Sequence, residues 1–496
     1  MNNIKISNVL NSLPLIFEKN IGQHDEKIQF ALNKKECTTF FNDNEIILSF
    51  RSNEKIQELK ELENSLILNE EDKKYSKYGI NILRVSFENG NKSPQIIGKN
   101  EFNCRLNYFK GENSLNWKCS IPLYEKLLYK EIYKGIDILY YENEGTIKWE
   151  FQVSSKKSLD KILLNFQGAN NIYLDEEGNI NINIKENILK ILNPRVTQED
   201  GSCEVTGNFE INEEGKVKFC IQNYENEKNL KITLPIVFEK FNSTFVVDRG
   251  NSIAVDENKC IYITGEIGVQ KYPNKKPHKN ILEAKDYSAF LVKIDSSKKG
   301  QSALKYAAYI GGEKNDEGVG IAVDDEENAY IVGSTNSEYE FPITEKSYAS
   351  NYPGGNSTGF LIKIDTSKVG LNSFIYGTYL GGNLYDYAYS VAIDKNKNVY
   401  VCGLTNSSLG FPITENGYKK FNCESVDVGF LLKLDISKKG KEALLYGTYF
   451  GGNDSTNFSA LAIDQNNYVY ITGITQSSDF PVTENSYKTK VTGGLS

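Results

Sequence analysis

Two histidines, eight cysteines and sixty-five carboxylates set the chemical repertoire of this sequence. His24 sits in Gly22-Gln23-His24-Asp25-Glu26 and His278 in Lys276-Pro277-His278-Lys279. A Ser-His-Asp triad would have to use one of them, and no nucleophile motif lies beside either. Histidines in such polar runs read as exposed loop residues. Zinc or iron would need ligands at recognised spacing, which the chain does not offer. The cysteines form no CxxC pair and are scattered singly, as reduced and mostly packed thiols are. No phosphate-binding glycine loop is present, and the Gly-Gly pairs read as bends. A glycosidase would need two carboxylates at a set separation. Asp324, Asp394 and Asp464 recur at intervals of seventy residues, and recurrence favours a scaffold role, since a catalytic pair occurs once. Calcium would need several oxygens converging on Asp316, Asp325 or Asp454, and no EF-hand string exists. The expectation is therefore no catalytic residue and no cofactor, calcium being the one metal with candidate ligands.

The elements that carry these aspartates repeat. Gly311-Gly312 returns as Gly381-Gly382 and Gly451-Gly452. Repetition at a fixed period means one structural unit per copy, each burying its apolar surface against its neighbours. A first strand ends in Asp256, Asp324, Asp394 or Asp464, where the carboxylate suits a turn. Asn328 and Asn398 close two of those loops, as residues that tolerate a left-handed backbone. A second strand centres on Tyr262, Tyr330, Tyr400 or Tyr470 and ends at Gly265, Gly333, Gly403 or Gly473. A glycine there predicts a bulge or a close backbone approach between neighbouring units. The tyrosines are read as packing between blades, with stacking on sugars or a partner protein as the other role open to them. A link follows with Pro342, Pro412 or Pro481, each after a phenylalanine. Third and fourth strands, such as Phe360-Leu361-Ile362-Lys363-Ile364-Asp365 and Tyr376-Gly377-Thr378-Tyr379-Leu380, complete the copy. Four short antiparallel strands per repeat is the count for a propeller blade.

Upstream, runs such as Lys148-Trp149-Glu150-Phe151-Gln152-Val153 alternate as strands do. Residues 53–78, rich in Lys and Glu with Ile56, Leu59, Leu62 and Leu66 at helical spacing, read as a charged surface helix. The fold class is all-β: a sandwich-like domain over 1–240, then blades near 248–310, 311–380 and 381–450 and a partial blade over 451–496. About 3.6 copies of seventy residues follow Asp248, an incomplete propeller whose open edge invites pairing with another chain or further C-terminal blades.

The balance of 57 basic and 65 acidic side chains, net −8, disfavours a nucleic-acid binder. No apolar run approaches the ~20 residues of a membrane span. No signal peptide is visible, which reads as cytoplasmic.

The repeat resembles the bacterial SBBP β-propeller repeat, with residues 320–344 and 390–414 matching best. The first copy departs, having Lys271-Tyr272-Pro273-Asn274 in place of the Phe-Pro link. The N-terminal half resembles the domain that commonly precedes those repeats, through Asn20-Ile21-Gly22-Gln23, Leu106-Asn107-Tyr108-Phe109 with Trp117, and the run from Tyr133 to Tyr141. The resemblance implies no established reaction, and it implies the cell surface or the extracellular space as the alternative location. The sequence thus predicts a non-enzymatic scaffold presenting a protein- or glycan-interaction surface. The alternatives are a carbohydrate-active enzyme or lectin using carboxylates and tyrosines at the propeller mouth, and a fragment of a longer repeat protein.

Overall fold

The computed structural model describes residues 15–34, 37–51, 80–143, 146–154, 159, 161–185, 187–198, 204–222, 224, 228–240, 249–268, 287–422 and 426–489. The 53–78 helix, the 271–274 departure and His278 lie outside the described residues.

The fold is all-β, with four short 3-10 turns the only named helical elements among the described residues. In the N-terminal half, alternation of apolar and polar residues places one face of each strand inward. On the strand Thr146–Val153, Ile147, Trp149, Phe151 and Val153 are buried while Lys148, Glu150 and Gln152 face outward. Its neighbours Ile136–Asn143 and Leu230–Lys240 pair with it antiparallel. Their inward residues join one large core with Phe17, Leu83, Leu164, Ile182 and Leu234. Burial of that contiguous apolar surface is the main term holding the domain together.

Three four-stranded blades follow, built from Arg249–Val255, Cys260–Gly268, Tyr287–Asp295 and Leu304–Gly311; from Asp316–Val323, Asn328–Thr335, Thr358–Asp365 and Phe374–Leu380; and from Asp386–Ile393, Val399–Thr405, Val428–Leu434 and Leu444–Phe450. Each blade is an antiparallel meander. The strands Thr456–Ile463 and Val469–Thr475 begin a fourth copy. First strands of successive blades lie against one another, so they are innermost and the fourth strands outermost.

The second-strand glycines face a register shift in the first strand of their own blade, at Gly318/Gly320 opposite Gly333 and at Ala388/Ser390 opposite Gly403. A Cβ on Gly333 would lie 1.8 Å from the Glu317 carbonyl oxygen. The close approach is thus within a blade, not between neighbouring units, because the bulge pushes its carbonyl towards the second strand. The left-handed turn residue is also displaced from the expected position. Lys259, Glu327, Lys397 and Asn467 have φ of 62–66°, each one residue before the position that Asn328 and Asn398 hold. Those asparagines begin the second strand, and their amides donate to Asp324 and Asp394.

One long hairpin joins the two halves. The strands Gln95–Lys110 and Lys118–Tyr133 pair over most of their length. Their 95–99 and 126–130 ends belong to the N-terminal domain. The other end runs alongside the first blade, where residues 106–110 pair in parallel with 307–311. Phe102, Cys104, Leu106, Tyr108, Ile121 and Leu123 form a buried cluster with Leu304 and Ala307 of that blade. Phe109 and Trp117 reach further and pack on Phe374 of the second blade, tilted and edge-on at centroid distances of 4.9 and 4.6 Å.

Candidate functional site

The repeated aspartates, tyrosines and glycines hold the blades. Asp256, Asp324, Asp394 and Asp464 each accept the Tyr262, Tyr330, Tyr400 or Tyr470 hydroxyl, at 3.0, 3.0, 3.3 and 3.2 Å. Each also closes its turn by accepting backbone N–H bonds, as Asp324 does from Glu326 and Asn328. Burial alone would raise the Asp324 and Asp394 carboxyls, but these donors hold both below the ordinary range. A lysine of the third strand lies over each tyrosine ring in the first three blades: Lys293, Lys363 and Lys433, at 5.0, 5.0 and 4.9 Å. Tyr262, Tyr330 and Tyr400 are buried, so their rings offer no platform to a ligand; Tyr470 is exposed. Adjacent blades are pinned by Glu327 on Lys293 at 2.6 Å and by Lys397 on Asp325.

Pro342 and Pro412 position the link that crosses the outermost strand. Thr344 N–H donates to the Gly377 carbonyl and Tyr379 N–H to Ala349, so the link takes up the strand's free edge. Thr414 and Lys419 do the same on Gly447 and Tyr449. The third proline, Pro481, lies in the corresponding link of the fourth copy.

Two buried carboxylates were less legible. Asp316 and Asp386 are fully buried; each accepts the N–H of the second glycine of the Gly-Gly pair at 2.8 Å. Thr335 and Thr405 hydroxyls donate to their other oxygen at 2.5 and 2.6 Å. A Cβ on Gly311 would lie 2.2 Å from the Asp316 carboxylate, which is why that position takes glycine. Burial outweighs these donors and pushes Asp316 up to about 7 and Asp386 up to about 6. The signal was the seventy-residue recurrence itself, although Thr456 stands in the fourth copy. Of the three carboxylates weighed for calcium, Asp316 is therefore enclosed by its own blade. Asp325 is exposed beside Lys397, and Asp454 stands at the opening of the fourth copy. No group of three or more His, Cys, Asp or Glu that could hold a metal ion occurs among the described residues.

His24 is not an exposed loop residue. Its side chain is 4% exposed and its Nε2 lies 3.0 Å from Glu18 Oε1. The sequence showed only the polar run around it, while the burial comes from Phe40, whose ring meets the imidazole edge-on.

The concave feature at the junction of the two halves is a groove of about 480 Å³, lined by Glu112, Glu338, Tyr339, Ile343, Thr344, Glu345, Ser350, Asn351 and Tyr352. Glu112 lies just past the strand Gln95–Lys110, and the intervening Gly111 N–H donates to the Glu340 carbonyl at 2.6 Å. The other residues come from the link of the second blade. Trp117 Nε1 donates to the Gly111 carbonyl at 2.6 Å and fixes the turn. Tyr339 is 57% exposed, and Tyr352 packs edge-on against Tyr379. Three carboxylates and no basic side chain line the groove. Glu345 is drawn below its ordinary range by Lys439 at 2.9 Å.

The model of a domain of unknown function, DUF7948, matches residues 17–233. The model of the SBBP beta-propeller repeat matches residues 305–342, 375–410 and 445–481. Each repeat window begins in the outermost strand of one blade and ends at the proline link of the next or, for 375–410, just before it, so the sequence unit straddles the blade boundary. No curated protein matches the chain. A solved structure, the extracellular domain of a one-component system from B. thetaiotaomicron, aligns at 10% identity with a TM-score of 0.17, over 92% of this chain and 57% of its own. The chain thus spans a little over half the length of that neighbour.

Proposed function

Because this chain carries SBBP beta-propeller repeats behind a DUF7948 domain, we propose that it is a non-enzymatic scaffold whose interaction surface is the groove between the two. The observation that carries this reading is the composition of the groove: two tyrosines and three carboxylates, of which Glu112 comes from the N-terminal half and Glu345 is paired with Lys439. Tyrosines supply contact area at low entropic cost, and an acidic lining selects a basic or hydroxyl-rich partner. The walls are rigid because each is tied by backbone hydrogen bonds, so little ordering is required on binding. A lysine-bearing extended segment of a partner protein fits that chemistry best.

The second reading is glycan binding at the same groove, favoured by the exposed Tyr339 beside Glu338. Titrating the full chain with lysine-rich peptides and, separately, with a glycan panel distinguishes the two. Saturable peptide binding that falls about tenfold in Tyr339→Ala and weakens with salt supports the scaffold reading. Sugar binding lost in the same variant supports a lectin, and bond cleavage would overturn a non-enzymatic role.

A further inference from the structure

We propose that a second cleft, inside the N-terminal domain, is a saccharide-binding site. It is about 580 Å³ in volume and is lined by residues of the 19–30 segment and of strand Gln95–Lys110, together with Tyr124, a size in the range of small-molecule sites.

Its wall is pre-formed. The Asn20 amide donates to the carbonyls of His24, Asp25 and Ile28 at 3.3, 2.8 and 2.7 Å. Its oxygen accepts from Gly22 and His24 N–H at 2.9 and 3.1 Å. One side chain therefore fixes the whole turn. Opposite, the Tyr124 ring lies so close on Gly98 that a Cβ there would fall 2.3 Å from it. Phe30 meets Tyr124 edge-on at 5.8 Å. The aromatic wall is thus held in place, as a platform for the C–H face of a sugar ring must be.

Polar groups converge from the rim. Lys19, Glu26, Gln29 and Gln95 line the cleft and offer both donors and acceptors, as neighbouring hydroxyls require. His24 is held by Glu18 through Nε2 with its side chain 4% exposed, so it stiffens the wall beneath the ligand. The charges argue for a neutral ligand. One cationic and one anionic residue, Lys19 and Glu26, are among the lining residues. Glu18, 2% exposed, places a negative charge beneath the floor that opposes an anion. Its oxygens are already taken by His24 and Asn33 on one side and by the Tyr108 hydroxyl, at 2.8 Å, on the other, so it does not serve a cation. A neutral polyhydroxylated ring with one apolar face meets all these conditions.

The cleft is separate from the junction groove, so the two readings stand or fall independently. The full chain is titrated with methyl glycosides of the common hexoses, pentoses and N-acetylhexosamines and with their β-linked disaccharides, using saturation-transfer NMR and calorimetry. At least one sugar saturates, and Gln95→Ala and Lys19→Ala each weaken it about tenfold at an unchanged melting temperature, while Tyr339→Ala in the groove leaves it unaltered. Absence of saturation by every member up to about 50 mM, weaker than any affinity in the usual millimolar scale, overturns the proposal. So does saturation that both rim variants leave unchanged, or tighter binding of acetate or tetramethylammonium than of any sugar.

Discussion

Leu106 of the N-terminal domain lies directly beside Ala307 of the first blade in a parallel β-ladder. In the next two blades the residues equivalent to Ala307 are Gly377 and Gly447, and what passes them is the proline link of the same blade. A Cβ on Gly377 or Gly447 would stand 2.4 or 2.1 Å from the Pro342 or Pro412 carbonyl oxygen. At that position the first blade has Leu106 beside it and carries a methyl group. The N-terminal domain thus takes over the edge that the link covers elsewhere, and it removes an open strand edge in doing so.

Gly447→Ala is therefore expected to cost about 1–3 kcal/mol by overpacking. Ala307→Gly loses the backbone-entropy advantage of alanine, about 0.5–1 kcal/mol, and a buried methyl without any overpacking. Denaturant midpoints of the two variants measure the difference, and equal losses would refute the exchange of partners.

Trp117→Ala should destabilise the chain by about 3–5 kcal/mol, as aromatic truncations in a core do. The indole joins Phe109 to Phe374 and holds the Gly111 turn. Unfolding followed by calorimetry should change from one transition towards two as the halves uncouple.

The buried carboxylates give a pH dependence with a definite sign. Asp316 and Asp386 have folded values near 7 and 6, above the ordinary 3.8. Between those limits the native state holds more protons than the unfolded chain, so their contribution is full below about pH 4 and is lost as pH rises towards 7. Asp316→Asn with Asp386→Asn should flatten the melting temperature across that window by a few degrees. A pH profile that both variants leave unchanged would count against it.

The ion pairs are expected to divide by burial. Glu327→Gln removes the partner of Lys293, whose side chain is 5% exposed, and should cost about 1.5–3 kcal/mol as the loss of a hydrogen bond to a charged group. Glu345→Gln removes a pair at 2.9 Å whose carboxylate is 90% exposed and should be neutral within measurement.

The amino-acid sequence by itself determined the all-β class, the four strands of each copy and the seventy-residue spacing. Those follow from local alternation and from recurrence, which need no knowledge of neighbours. It also marked Asp324, Tyr330 and Gly333 as scaffold positions, although not that a lysine lies over each such tyrosine, because that contact is between strands. Only the tertiary structure decided which glycines face a bulge in their own blade, and that His24 is buried on Glu18. The same holds for the two concavities. The groove exists because residues 106–112 meet residues 338–352 across more than two hundred positions of chain, and the cleft because residues 19–30 fold against residues 95–98. Neither juxtaposition has a period or a motif, since each is fixed by packing between segments whose own patterns specify only strands and turns.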